Sequence, residues 1–256
     1  MRRFLTQARY AAFTALALAA LTAPAAAQAP ATPSGTPAPK PWAGAISAGI
    51  NLTRGNTDTI NYNLSFNAAR SFSPRNTLKA TGLYLRGTQN DLLTVSRTTL
   101  GVRNETTLSG RTFAFAKVDY LRDTFKAIDY LIAPGGGLGY KLVDGARTKY
   151  AIDAGLGTVS ERNTGGNVRN DGALTAGGKL QHALSPTATL KHEATALWKA
   201  QDIDDALYTV TAGVAAALTP RVQLAFDVMS IYKNRPPAAA AKKNDVAVVT
   251  GLTMTF

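Results

Sequence analysis

Asn244 to Phe256 reads N-D-V-A-V-V-T-G-L-T-M-T-F. With a period of two, Val246, Val248, Thr250, Leu252, Met254 and Phe256 share one face. Asp245, Ala247, Val249, Gly251, Thr253 and Thr255 share the other. An apolar face opposed to a small or polar one is the signature of a half-buried strand. Such a strand has two edges to satisfy, and its partners must come from upstream.

The same alternation recurs along the chain, with the apolar face on even numbers. The segments are Trp42–Leu52, Asp58–Phe72, Thr77–Gly87, Thr94–Thr106, Thr112–Leu121, Leu131–Leu142, Lys149–Val159, Gly172–His182, Ala188–Trp198, Leu207–Leu218 and Val222–Tyr232. The second is the clearest: Ile60, Tyr62, Leu64, Phe66 and Ala68 oppose Asn61, Asn63, Ser65, Asn67 and Ala69. Phe113 and Phe115 break the rule and leave the register of the fifth segment open. The sixth carries Gly135, Gly137 and Gly139 on one face with Lys141. No helix and no Lys-Ser/Thr follow these glycines, so a phosphate cradle gives way to close approach or bending in a barrel wall.

Together with Asn244–Phe256 these make twelve strands, an even number. The links SPRN, LSGR, VDGAR, LSPT and LTPR are short and alternate with longer, more polar ones. Only the first, RGNT, is short where a long link is expected. No apolar run after residue 42 is long enough for a membrane helix, so a membrane role requires a closed barrel. The pattern predicts an all-β fold, an antiparallel transmembrane β-barrel over residues 42–256. Its termini lie on the side of the short turns, the periplasmic side in such barrels. Trp42, Tyr62, Phe66, Tyr84, Tyr140, Trp198 and Phe256 are among the even-numbered aromatics. Most of these rings fall near strand ends, as in interfacial girdles.

Residues 1–27 have the layout of a secretory signal peptide. Arg2, Arg3 and Arg9 supply the charge, Tyr10–Leu21 the apolar stretch, and Ala25-Ala26-Ala27 a cleavage site before Gln28. Residues 28–41, rich in Pro and Ala, form an extended periplasmic leader. The chain has no Cys, so disulfides do not stabilise it. Its net charge is +12, and losing the three signal arginines leaves +9. Export argues against nucleic acid as the partner of this charge. Outer-membrane lipid, lipopolysaccharide and small anionic solutes fit better.

Three stretches carry a family resemblance: G-N-T-D-T at Gly55–Thr59, Y-L-R-D-T-F-K-A-I-D-Y at Tyr120–Tyr130 followed by P-G-G-G-L-G-Y, and the Lys pair and Asp245 before the last strand. In this order they resemble a bacterial family of unknown function whose members are labelled salt-induced outer-membrane proteins. The resemblance implies a location in the bacterial outer membrane after Sec-type export, and a link to osmotic stress. It implies no catalytic residue, cofactor or metal. A last strand ending in Phe resembles the closing strand of other outer-membrane barrels. That likeness makes Phe256 the residue read by the barrel assembly machinery.

The chemistry lies on the odd face. Its strand charges are Lys79, Arg97, Arg103, Glu105, Lys117, Asp119, Lys141, Lys149, Asp153, Lys179, Lys191, Glu193, Arg221 and Asp227, nine basic and five acidic. In a lumen they either form a small anion-preferring pore or pair and fill the barrel, Lys191 with Glu193 and Lys117 with Asp119. A lipid-acting enzyme is the third reading. Against it, His182 is expected opposite Thr189 and His192 opposite Lys179, with no G-x-S-x-G. An enzyme is not expected. Asp202, Asp204 and Asp205 sit in an expected external loop, where they could hold a divalent cation against lipopolysaccharide. Charges from Asp119 to Asp129 cluster around another.

Overall fold

A computed structural model describes residues 42–53, 59–124, 126–236 and 242–256. The signal peptide, the leader and the turn at 54–57 lie outside the described residues. The strands are β1 (Ala43–Thr53), β2 (Thr59–Ser73), β3 (Asn76–Gln89), β4 (Leu92–Ser109), β5 (Thr112–Asp123), β6 (Ile128–Asp144), β7 (Thr148–Asn163), β8 (Val168–Ala183), β9 (Ala188–Lys199), β10 (Asp202–Ala217), β11 (Val222–Lys233) and β12 (Asn244–Thr255). Each pairs with its sequence neighbours, and β12 returns to β1, closing the barrel. All pairings are antiparallel. Closure leaves no free edge at either end of the sheet order, as an isolated β12 would have.

Along the apolar belt, even-numbered side chains face out; past the bulges near the far rim, Ile128 and Ala206 turn inward. Leu64 is 51% exposed, Leu156 67% and Val246 62%. Odd-numbered Leu85, Phe113 and Ile231 are buried inside. A continuous apolar exterior over a polar interior inverts a water-soluble fold and matches a hydrocarbon solvent. Trp198 donates its indole N–H to the Tyr208 hydroxyl at 2.9 Å, and Tyr208 stacks obliquely on Tyr232. These three rings form an outer belt near one rim.

All strands but β1, at 11 residues, run 12 to 18 residues and exceed the roughly 9–11 needed to cross a bilayer. This corrects the expectation of long external loops. Most of the polar 160–170 segment is strand, with β7 reaching Asn163 and β8 starting at Val168. The link after β3 is Asn90 and Asp91, both at positive φ, the geometry of a tight hairpin turn. Polar composition at these ends therefore signals strand beyond the apolar belt. The barrel's ends are the terminal rim, holding residues 42 and 256, and the far rim, holding the turns after β3, β5, β7, β9 and β11.

Two register expectations also change. The turn after β8 closes between Leu184 N–H and the Ala188 carbonyl, so His182 faces Leu190 and His192 faces Leu180. Even residues then pair with even, keeping one parity per face. Phe113 and Phe115 do break parity for an aromatic, because they point inward onto glycine. Phe113 is paired with Gly139, and the Phe115 ring lies over Gly155. A methyl at Gly139 would overlap the Phe113 ring, so glycine there gives the ring its seat. Gly139→Ala should lower the fraction of heat-modifiable, folded barrel after refolding. Gly110→Ala serves as the control, since a methyl there meets nothing within 4 Å. Its positive φ of 37° adds only local turn strain.

Candidate functional site

The lumen divides into two halves with different physics. Toward the terminal rim, charges on separate strands meet across water-accessible space. Lys79 contacts Glu105 at 2.5 Å, Arg103 contacts Glu105 at 2.8 Å, and Arg103 reaches Asp153 on β7 at 3.0 Å. The Arg103 guanidinium also lies 3.8 Å from the Phe115 ring centre. Lys117 pairs with Asp119 at 2.9 Å. Glu193 turns to Lys179 across the β8–β9 pair at 3.3 Å, not to Lys191 as its spacing suggested. Cross-strand neighbours in this register stand closer than residues two apart on one strand. Lys191, Gly213 and Asp227 form one row over β9, β10 and β11. Lys141 pairs with Asp144, Lys149 is paired in register with Asp144, and Arg221 lies exposed beside the start of β11.

Toward the far rim the interior is filled. One apolar cluster joins Leu121, Ile128, Leu131, Ala133, Val159 and Ala173. A second joins Leu85, Met229 and Ile231. Leu207 packs against both, so the two meet inside the barrel. Within this packing lies a four-charge network. Glu161 contacts Lys199 at 2.5 Å and accepts from Lys233 at 2.9 Å, and Asp205 accepts from Lys199 at 2.6 Å and contacts Lys233 at 3.4 Å. All four side chains are 7% exposed or less. Two ammonium groups and two carboxylates cancel, the condition for burying them at all.

Arg97 belongs to this packed half. It pairs with Asp123 at 2.8 Å and is buried, at the edge of a cavity of about 320 Å³. Lys126, fully buried, reaches across the mouth from the β5–β6 link. It donates to the carbonyls of Lys242 and Lys243 at 2.6 and 2.8 Å and contacts Asp245 at 3.0 Å. The aspartates at 202, 204 and 205 do not converge on a common cation. Asp202 and Asp204 both bind Arg235, and Asp205 turns inward. Their strand, β10, starts at Asp202 and bulges before Ala206, which separates them.

Glu161, Lys199 and Lys233 were not among the sequence candidates; Asp205 was one only as a loop ligand for a cation, and Lys126 only as a loop charge. Glu161, Lys199, Asp205 and Lys233 are odd-numbered, so extending the alternation past the apolar belt would have placed them inside. Lys126 lies in a turn with no periodicity to place it. His182 contacts the Thr148 hydroxyl at 2.7 Å on the outer face. Among the described residues no carboxylate hydrogen-bonds His182 to extend this contact.

No curated protein matches the sequence. Among solved structures, the chain is similar to the NanC porin, with 10% identity, 84% of this chain and 98% of that one covered, and a TM-score of 0.48. It is also similar to the translocator domain of autotransporter NalP from Neisseria meningitidis, at 13% identity, 84% and 87% coverage and a TM-score of 0.47. The CymD monoaromatic hydrocarbon channel follows at 11% identity, 85% and 79% coverage and a TM-score of 0.41. The family model described as "Protein of unknown function, DUF481" matches residues 46–256. That match runs from β1 to the last residue, and the chain belongs to the DUF481 family.

Proposed function

We propose that the protein resides in the bacterial outer membrane as an occluded barrel. After Sec-type export and cleavage near Ala27, its terminal rim faces the periplasm and its far rim faces outward. Outer-membrane lipid and lipopolysaccharide then contact the apolar exterior. A charged vestibule opens to the periplasm, while the outward half holds no free-diffusion path. The observation that carries this reading is Lys126. Its fully buried ammonium ties the β5–β6 link to β12 and the chain before it, across the lumen mouth. Apolar packing beneath it, joined through Leu207, completes the closure.

A second reading, a small anion-preferring pore, draws on the vestibule charges. Without buried Arg97, eight of the odd-face strand charges are basic and five acidic. A basic excess concentrates small anions. Planar-bilayer recording of the refolded barrel separates the two readings. The occluded barrel gives no conductance steps, whereas Lys126→Ala combined with Leu207→Ala does. Steady, anion-selective steps from the wild-type protein would overturn the occluded reading in favour of the pore. The vestibule's other role is to hold small anionic solutes on the periplasmic side.

A further inference from the structure

Five exposed arginines lie toward the far rim among the described residues: Arg86, Arg122, Arg162, Arg169 and Arg235. Three have carboxylate partners. Arg162 reaches Asp129 at 3.7 Å, Arg169 reaches Asp171 at 4.0 Å, and Arg235 binds Asp202 and Asp204. Arg86 on β3 and Arg122 on β5 have neither a hydrogen bond nor an ion pair to any described residue. These two are also neighbours, since only β4 stands between their strands.

Register places both on the outer face. Arg86 is paired with Ser96 and Arg122 with Thr98, both on β4. Arg97, between those two hydroxyl residues, is buried on the inner side, so Ser96 and Thr98 point outward. Asp123, next to Arg122, is buried inside with Arg97. Neighbouring strands stand about 4.8 Å apart, so the two arginines flank β4 closely, with its hydroxyls between them.

Depth comes from the aromatic residues. Tyr84 precedes Arg86 by two residues and Tyr120 precedes Arg122 by two, each on the same face as its arginine. Tyrosine favours the water–lipid boundary, and Tyr84 is exposed there. The arginines stand one step further toward the rim, where lipid head groups begin. A guanidinium keeps its charge at that depth and offers a planar fork that matches phosphate. The carboxylates nearest in sequence do not compete for it: Asp123 is committed to Arg97 at 2.8 Å, and Asp129 to Arg162.

We propose that Arg86 and Arg122, with the Ser96 and Thr98 hydroxyls between them, hold a phosphate group of lipopolysaccharide against the outer wall of the barrel. Lipopolysaccharide presents phosphate at head-group depth beside the barrel, so charge, depth and the direction of both side chains agree. The proposal rests on the outer-membrane placement with the far rim outward. It does not rest on closure of the lumen, so conductance does not decide it.

The test titrates the full barrel in detergent micelles with lipopolysaccharide and reads bound lipid by native mass spectrometry. Arg86→Ala with Arg122→Ala should weaken binding about tenfold or more, since two charge-assisted phosphate contacts are lost. Arg75→Ala with Arg111→Ala removes the same charge from exposed turns of the terminal rim and should leave binding nearly unchanged. Arg86→Lys with Arg122→Lys keeps the charge without the fork and should recover only part of the loss. Lipopolysaccharide stripped of its phosphates should bind the wild type as weakly as the intact lipid binds the Arg86/Arg122 alanine pair. Excess inorganic phosphate should not displace the lipid, whose acyl chains also pack on the wall. Equal weakening by the two alanine pairs would overturn the site. So would undiminished binding of the phosphate-free lipid, or displacement by inorganic phosphate. The outward placement is checked separately. The chain has no Cys, and Ala200→Cys, exposed in the turn after β9, should react with a membrane-impermeant maleimide on intact cells. Protection of that cysteine would overturn the placement and the site together, whereas loss of phosphate selectivity with the cysteine labelled overturns the site alone.

Discussion

Glu161→Ala is expected to destabilise the far half of the barrel more than any other single charge substitution. Glu161 is 1% exposed and holds Lys199 and Lys233 at 2.5 and 2.9 Å. Its removal leaves two buried ammonium groups sharing Asp205. Breaking a buried pair from one side typically costs about 3–5 kcal/mol, because the partner's charge stays behind without compensation. Urea unfolding in detergent micelles, followed by heat-modifiable gel migration, should show a large drop in midpoint. Adding Lys233→Met to Glu161→Gln restores the balance of one ammonium and one carboxylate. That double variant should recover most of the loss. Lys179→Ala is the comparison: its pair with Glu193 is more than half exposed on both sides. Exposed pairs are worth about 0–1 kcal/mol. A Glu161→Ala barrel as stable as Lys179→Ala would mean that water reaches the network.

The sequence predicted twelve strands, their order and the parity of their faces. Period two survives wherever one face meets an apolar medium, so Leu64, Leu156 and Val246 were legible without coordinates. Strand ends were less legible because the belt stops before the strand does. Beyond it, both faces meet polar surroundings and alternation in hydropathy fades, as at Glu161 and Arg162. The fill of the lumen was harder still. Which charge meets which depends on register and barrel diameter. Spacing along one strand suggested Lys191 for Glu193, while the register delivers Lys179. Lys126 was out of reach, since its partners on the β12 side are more than a hundred residues away.

Removal of Phe256 should have the largest effect of all, and the closure of β12 on β1 explains why. Among the described residues the other ladders hold eleven or more paired positions, such as β1 with β2, whereas four β1–β12 pairs occur. Gly44 and Phe256 extend this short zip by exchanging two backbone hydrogen bonds, each 3.0 Å. The Phe256 ring also lies over Gly44, where a methyl would sit 2.8 Å from its tip. Deleting the residue removes both bonds and the ring from the stretch that closes the barrel. Unpaired backbone then faces hydrocarbon. The folded barrel should fall to trace levels in the outer membrane, measured by surface labelling and heat-modifiable migration. Phe256→Ala separates two causes, since it keeps the backbone bonds and loses only the ring. If closure dominates, Phe256→Ala refolds in detergent nearly as well as wild type, while the deletion refolds poorly without any cellular factor. If the ring is what the assembly machinery reads, both variants fail in cells, and the deletion still refolds in detergent. Normal surface levels after deletion would show that the four internal pairs, Ala45 to Ala48 with Thr255 to Leu252, suffice to hold the seam.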